Sequence, residues 1–283
     1  MSITAWVNGA LVDPAEASLS AVDHGVTVGD GVFETAKVVD GRPFALTRHL
    51  DRLDRSVAGL GLPPVDRARV LAGVKAVLDA TDPIAFGRLR FTVTGGAGPL
   101  GSDRTGSELT YIVTSAPQAL PPASGKVTVV PWTRNERAAT AGLKTTSYAD
   151  NVIALARAKE VGAMEAIFAN TRDELCEATG SNVFVVPDSA SGLVLTPPLD
   201  AGPLAGITRG LVLEWGRAAG VDVREQALPL DVLRTADEVF LTSSIKDVFP
   251  VHAVDDRELP APGPVTARLA EVFAARSAED VDP

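Results

Sequence analysis

The feature that most narrows the fold of this chain is an early change of hydrophobic period. Residues 3–12, "ITAWVNGALV", and 31–46, "GVFETAKVVDGRPFAL", read as strands interrupted at Asn8-Gly9 and Asp40-Gly41, dipeptides suited to tight hairpin turns. Leu46, Leu50, Leu53, Val57 and Leu60 then recur at intervals of three and four, the period of an amphipathic helix, and "VDRARVLAGVKAVLDA" continues as a second helix. In "GRLRFTVTG" the alternation returns through Leu89, Phe91 and Val93, and "LTYIVTSA" adds another strand. Strands on both sides of a helical pair predict an α+β unit ending near residue 117.

A Pro-, Ala- and Ser-rich stretch, "PQALPPASGK", separates this region from the next. The expected organisation is therefore an N-terminal α+β domain over 1–117, a linker over 118–126 and a C-terminal domain over 127–283. In the second part the strand "KVTVVPW" precedes a helix from about Thr146 to Val161 and the strands "MEAIFAN" and "NVFVV". A helix from near Ile207 follows, then strands in "VDVREQAL", "EVFLTS" and "VFPVHAV", and a helix from about Pro264 leading into the acidic "SAEDVDP".

Composition excludes several function classes. An apolar content of 46% is ample for a packed core, and no run of about 18 uncharged apolar residues signals a membrane span. The N-terminal "MSITAWVNGALVDP" lacks the basic segment and apolar core of a signal peptide, so a soluble, cytoplasmic protein is expected. Cys176 is the sole cysteine, and His24, His49 and His252 lie far apart, which gives no sequence support for a disulfide or a metal site. The net charge of −10 argues against nucleic-acid or anionic-membrane surfaces, which need clustered Lys and Arg.

One glycine pattern fails on context. Gly96, Gly98 and Gly101 in "GAGPLG" spell G-x-G-x-x-G after a strand, yet a dinucleotide turn must open a helix. Here Pro99 interrupts the glycines and the chain stays polar, then extended. A loop joining two strands is the expectation.

The informative constellation begins at Glu177, the acid in "ELCEATGSNVF". After it come Thr179, Asn182-Val183-Phe184, Val194-Leu195-Thr196 and Leu204-Ala205-Gly206-Ile207-Thr208-Arg209. Gly206, Ile207 and Thr208 open an amphipathic helix, where unpaired N–H groups and the positive dipole end suit a phosphate. Taken alone, Gly206 and Thr208 are equally consistent with simply turning and capping the helix. Upstream, Lys144, one of six lysines, lies in "AGLKTTSYADN".

This ordered set resembles the class IV aminotransferases, the fold type IV enzymes that use pyridoxal phosphate (PLP). "GDGVFETAKVVDG" and "HLDRL" extend the resemblance over nearly the whole chain. It implies an α+β fold of two α/β-type domains with the cofactor site between them, a small-molecule amine substrate and a homodimer. The resemblance implies that Lys144 joins the cofactor covalently and that Glu177 faces the pyridine nitrogen. A carboxylate about 4 Å from that nitrogen favours its protonated form by about 4 kcal/mol at an effective dielectric near 20. Arg52, Ser244 and Ile245 are implied as phosphate contacts beside Gly206, Ile207 and Thr208, with Ser181, Asn182 and Leu204 completing the cofactor set. Phe33 and Tyr148 are implied as pocket groups, Tyr148 near the phenolic oxygen. On the residues alone, Arg52 suits the polar face of a helix equally well, and both aromatics suit a core.

Within the family, "LTPPLDAGPLAGITR", "KTTSYADN" and Phe249-Pro250 are more similar to 4-amino-4-deoxychorismate lyases, of the folate branch, than to branched-chain enzymes. The loop "GGAGPLGSDR" holds Arg104 only at its far end, unlike the Arg and His pair of D-amino acid aminotransferases. The resemblance thus points to a lyase releasing pyruvate and 4-aminobenzoate, ahead of an aminotransferase using a branched-chain, D-amino acid or R-amine donor. A PLP-binding homologue without turnover is the remaining alternative.

Overall fold

The computed structural model describes residues 3–106 and 108–283 and divides the chain into two compact units. The first holds the residues up to Leu120 together with 143–147 and 281–283; the second holds 121–142 and 148–280.

In the first unit, β1 (Thr4–Val7) and β2 (Ala10–Val12) form the opening hairpin, followed by a short helix α1 (His24–Thr27). Next come β3 (Gly31–Val39), β4 (Arg42–Pro43), α2 (Leu46–Leu60), α3 (Arg67–Asp79), β5 (Phe86–Thr94) and β6 (Thr110–Pro117). The sheet runs β2-β1-β6-β5-β3-β4 with every pairing antiparallel. Asn8 and Asp40, both at φ 48°, followed by Gly9 and Gly41, also at positive φ, make the two turns read from the sequence. Leu50, Leu53 and Val57 of α2 and Val70, Val74 and Val77 of α3 pack with Val32, Leu89 and Phe91 of the sheet in one core.

The start of α2 is capped from a distance. Its N-cap, Ala45, sits at φ 54° with no capping side chain. The Asp282 carboxylate instead accepts from the Thr47 backbone N–H at 2.8 Å and from the Thr47 hydroxyl at 2.6 Å. Ala45 N–H donates to the Val281 carbonyl at 2.7 Å. Such a carboxylate satisfies an orphan donor and complements the helix dipole.

The second unit contains β7 (Gly125–Arg134), α4 (Ala149–Glu160), β8 (Glu165–Asn170), β9 (Leu175–Ala178), β10 (Asn182–Val186), β11 (Val194–Thr196), α5 (Ile207–Ala218) and β12 (Val223–Glu225). It continues with β13 (Glu238–Ser243), β14 (Asp247–Val254), β15 (Arg257–Glu258) and α6 (Pro264–Glu279). The sheet order is β12-β11-β10-β13-β14-β7-β8-β9, with β15 on β14. The β11/β12, β14/β7 and β7/β8 pairs are parallel and the rest antiparallel. Every residue of β8 and β10 is buried, which explains their runs of apolar residues without alternation. Val183 and Val185 join one core, while Phe184 stacks on its cross-strand partner Phe240 at 4.8 Å. Glu238 of β13, buried, accepts from the N–H groups of Val265 and Thr266 at the start of α6 and from the Ser189 hydroxyl.

Several elements differ from the sequence reading for identifiable reasons. The helix expected from Thr146 begins at Ala149, because residues 144–146 pair with the edge of β3: Phe33 N–H donates to the Lys144 carbonyl at 2.9 Å and Thr146 N–H to the Gly31 carbonyl at 2.8 Å. This pairing places 143–147 in the first unit rather than with the C-terminal part of the chain. Within the expected linker, Gly125 and Lys126 are already strand. Glu177 stands on a strand of its own, β9, opposite Phe168. The α6 helix extends through Glu279, into the acidic tail. No helix follows "GAGPLG"; a Cβ on Gly98 would lie 2.3 Å from Nε2 of buried His24, so close packing of a loop explains that glycine.

Leu53 has no exposed surface and holds α2 on the sheet. Leu53→Ala is expected to lower stability by about 2–5 kcal/mol, measured by denaturant unfolding, because the site is too enclosed to collapse around the missing atoms.

Candidate active site

The residues singled out in the sequence fall into two groups, one in each unit. In the first unit, β3, α2 and the strip 143–147 converge on Phe33, Glu34, His49, Arg52 and Lys144. The strip is held on two sides. Besides its pairing with β3, Lys144 N–H donates to the Ser56 hydroxyl of α2 at 3.2 Å, and Leu143 fills the space above Gly59, where a Cβ would come within 2.5 Å of it. The Lys144 ammonium lies 4.5 Å from the Phe33 ring centroid, and the Arg90 guanidinium lies 3.7 Å from the same centroid. Phe33 is thus a platform for two cations, each favoured by the ring's negative face.

Arg52 is not on the polar face of its helix; it is buried and meets Glu34 of β3 in a two-pronged ion pair. Nε donates to Oε1 and Nη2 to Oε2, both at 2.7 Å. His49, one turn earlier on α2, places Nδ1 2.6 Å from the same Oε2. Burial by itself would raise the Glu34 pKa, but the Arg52 charge and hydrogen bond, then those of His49, prevail and hold it at about 2. Burial pushes His49 below its ordinary 6.5; Glu34 opposes this, while the Arg52 and Lys144 charges add to it. A neutral imidazole bearing its proton on Nδ1 then donates to the carboxylate.

In the second unit, Glu177 is fixed through both oxygens. Oε2 accepts from Leu204 N–H at 3.0 Å, and Oε1 lies 3.4 Å from Nε of Arg134, whose guanidinium sits 4.4 Å from the Phe168 ring centroid. The Leu204 carbonyl accepts from Asn182 Nδ2 at 2.8 Å, so the backbone of Leu204 is held at its N–H by one expected site residue and at its C=O by another. A Cβ on Gly206 would come within 1.9 Å of Asn182 Oδ1, so only glycine lets the loop enter α5 this closely. The helix that follows, with Ile207 and Thr208 in its first turn, has no side-chain cap. This donor set, unencumbered by a capping oxygen, suits a phosphate. Tyr148 is the N-cap residue of α4, and Ser244 and Ile245 lie in the turn between β13 and β14. The Ser181 hydroxyl donates to Glu165 at 2.6 Å. Burial, then the Glu177 charge, pushes the Cys176 thiol up, which leaves it unreactive. Among the described residues no group of His, Cys, Asp and Glu is placed to hold a metal ion.

Sequence reasoning did not single out Glu34, His49, Arg90, Arg134 or Glu165. For His49 a signal was present: it lies three residues before Arg52 on one helix, so the two share a face and can converge on one acid. Glu165 was also visible as a lone carboxylate opening an apolar strand. Arg90 and Arg134 carry no comparable mark.

The chain matches the family model of class IV aminotransferases over residues 31–254 and belongs to that family, whose members depend on PLP. It is 32% identical over 277 residues to a provisionally named branched-chain-amino-acid aminotransferase of Methanocaldococcus jannaschii, covering 95% of this chain and 94% of the relative. Identity is 33% to the D-alanine aminotransferase of Bacillus licheniformis, with 93% of each chain covered. It is 30% to the aminodeoxychorismate lyase of Bacillus subtilis, over 89% of this chain and 86% of that one. A fold IV transaminase from Curtobacterium pusillum superposes with a TM-score of 0.84 at 31% identity, covering 96% of this chain and 99% of the other.

Neutral His49 gives the fold a defined acid response. An unfolded histidine takes up a proton near pH 6.5 while the buried one resists, so its contribution is complete above that value and is lost as pH falls below it. Glu34 adds a second loss, beginning near its ordinary 4.5 and completed toward about 2. The melting temperature is expected to fall as pH drops below about 6.5, and His49→Gln, which retains a donor for Glu34, should flatten that limb. An identical slope in both proteins would assign the limb to other groups.

Proposed function

We propose that the protein is a PLP-dependent aminotransferase acting on a small amino acid or amine, with Lys144 and Glu177 as its catalytic residues. The observation that carries the reading is the Glu177 carboxylate, held between the Leu204 N–H and Arg134 at the mouth of an uncapped helix N-terminus. In this reading Glu177 faces the pyridine nitrogen, and the first turn of α5, Arg52, Ser244 and Ile245 receive the phosphate. Asn182 and Leu204 shape the loop, and Phe33 and Tyr148 line the substrate pocket. PLP, when bound, supplies an electron sink for the carbon that bears the amine. Nζ of Lys144 takes the proton from that carbon, and the ring and charge beside it, Phe33 and Arg90, orient it. Arg104 does not supply a substrate carboxylate contact: it donates twice to Asp30 and to the carbonyls of Leu60 and Gly61. That commitment weakens the reading of a D-amino acid donor.

The lyase reading takes second place. "TPPLDAG" and "SYADN" support it, as does the Bacillus subtilis relative, but the Methanocaldococcus jannaschii and Bacillus licheniformis aminotransferases match a larger share of the chain at slightly higher identity. Both readings use the same proton abstraction by Lys144 and differ in the fate of the product. A homodimer in the cytoplasm belongs to the same proposal; a monomer by light scattering of the holoenzyme would remove the dimer from it.

Three measurements test the proposal. Borohydride reduction of the PLP-loaded protein followed by peptide mapping is expected to label Lys144; a label on Lys126, Lys159 or Lys246 overturns the assignment. Glu177→Gln should slow single-turnover proton abstraction by about a hundredfold, a loss of about 3 kcal/mol, with the fold retained. Incubated with amino donors, the enzyme should stall after one turnover until 2-oxoglutarate or pyruvate is added. Sustained release of 4-aminobenzoate and pyruvate from aminodeoxychorismate, without any keto acid, would reverse the order of the two readings.

A further inference from the structure

Glu165 lies at the start of β8, 4% exposed, in a strand whose other members are all buried. Its carboxylate is shared between two turns that are distant in sequence. Oε2 accepts from Gly180 N–H at 2.7 Å and from the Thr179 hydroxyl at 3.2 Å, and Oε1 accepts from the Ser181 hydroxyl at 2.6 Å. Lys246, in the turn after β13, donates its ammonium to the same Oε1. The first turn is braced further, by Thr179 N–H on the Ala166 carbonyl at 2.9 Å and by Asn151 Nδ2 on the Thr179 carbonyl at 2.5 Å. It joins Glu177 on β9 to Asn182 on β10. The second contains Ser244 and Ile245, with Lys246 N–H donating to the Ser243 hydroxyl at 3.3 Å.

We infer that Glu165, with Lys246, is a positioning pair that locks the 179–181 turn and the 244–246 turn into one frame, fixing the separation between the pyridine-side and phosphate-side contacts before the cofactor arrives. The inference deepens the cofactor assignment made above and rests on it. Neither residue touches the cofactor in this scheme, since both charged ends are spent on each other and on the turns. A carboxylate suits the task because its two oxygens accept several donors at once, and such charge-assisted bonds are the strong ones. Burial sharpens the geometry, because an unanswered charge there is costly. Lys246 is accordingly a strut, and the covalent role stays with Lys144 as proposed above.

The test uses the apoprotein of the full chain, titrated with PLP and followed by hydrogen exchange and by the ³¹P resonance of the bound cofactor. Glu165→Gln should exchange faster in peptides spanning 178–183 and 243–248, with the first unit unchanged, should bind PLP about tenfold more weakly and should shift the ³¹P resonance. Lys246→Met leaves the three other donors on Glu165, so it should loosen 243–248 and spare 178–183; it carries the test if Glu165→Gln does not fold. A lowered melting temperature with unchanged PLP affinity, unchanged ³¹P shift and native protection in both segments would overturn the inference and leave Glu165 as ordinary core. If the wild-type protein takes up no PLP, the cofactor assignment fails by itself. The exchange pattern then still decides whether Glu165 fixes the two turns.

Discussion

A carboxylate can be taken into an apolar sheet only if each of its oxygens is answered by a donor, and this requirement organises much of the molecule. Three strands carry such an acid: Glu34 on β3, Glu165 on β8 and Glu238 on β13. None is answered by its own strand. Glu34 draws in α2 through Arg52 and His49, Glu165 draws in two turns, and Glu238 draws in the first turn of α6. The energetic gain of such groups over apolar replacements is small, since desolvation offsets most of the attraction. Their effect here is to specify which segment meets which strand, and at what angle.

The functional groups inherit that specification. Arg52 and Lys144 are set by β3, one through Glu34 on the strand and the other through backbone pairing at its edge. Glu177, Asn182 and the start of α5 form a second set, in which the backbone of Leu204 is fastened at both its N–H and its C=O. The class IV aminotransferases, to which the chain belongs, include relatives named for different reactions. Arg104, at the far end of the 95–104 loop, has its guanidinium occupied by its own unit.

Much of this was legible in the sequence. The two hairpin turns, the α2 face from Leu46 to Leu60 and the start of α5 at Ile207 follow from local rules of turn chemistry and periodicity. The ordered run from Glu177 to Arg209 identified the family. What stayed hidden depends on partners far along the chain. The delayed start of α4 at Ala149 comes from β3, more than a hundred residues earlier, which claims the backbone of 144–146. The pairing of Arg52 with Glu34 was half visible, because periodicity gives the face that Arg52 shares with His49 but not the acid that covers it. Ser181 was implied as a cofactor group by the resemblance, and the sequence did not show that its hydroxyl donates to Glu165.

The capping of α2 by Asp282 carries a consequence for how the protein is made. A ribosome delivers the helix that bears His49 and Arg52 early, but the carboxylate that completes its first turn emerges only after the entire second unit. The strip that carries Lys144 likewise arrives after the sheet it joins. In the order of synthesis the open edge of β3 is therefore completed only after β7 has been made, and the first turn of α2 only after α6.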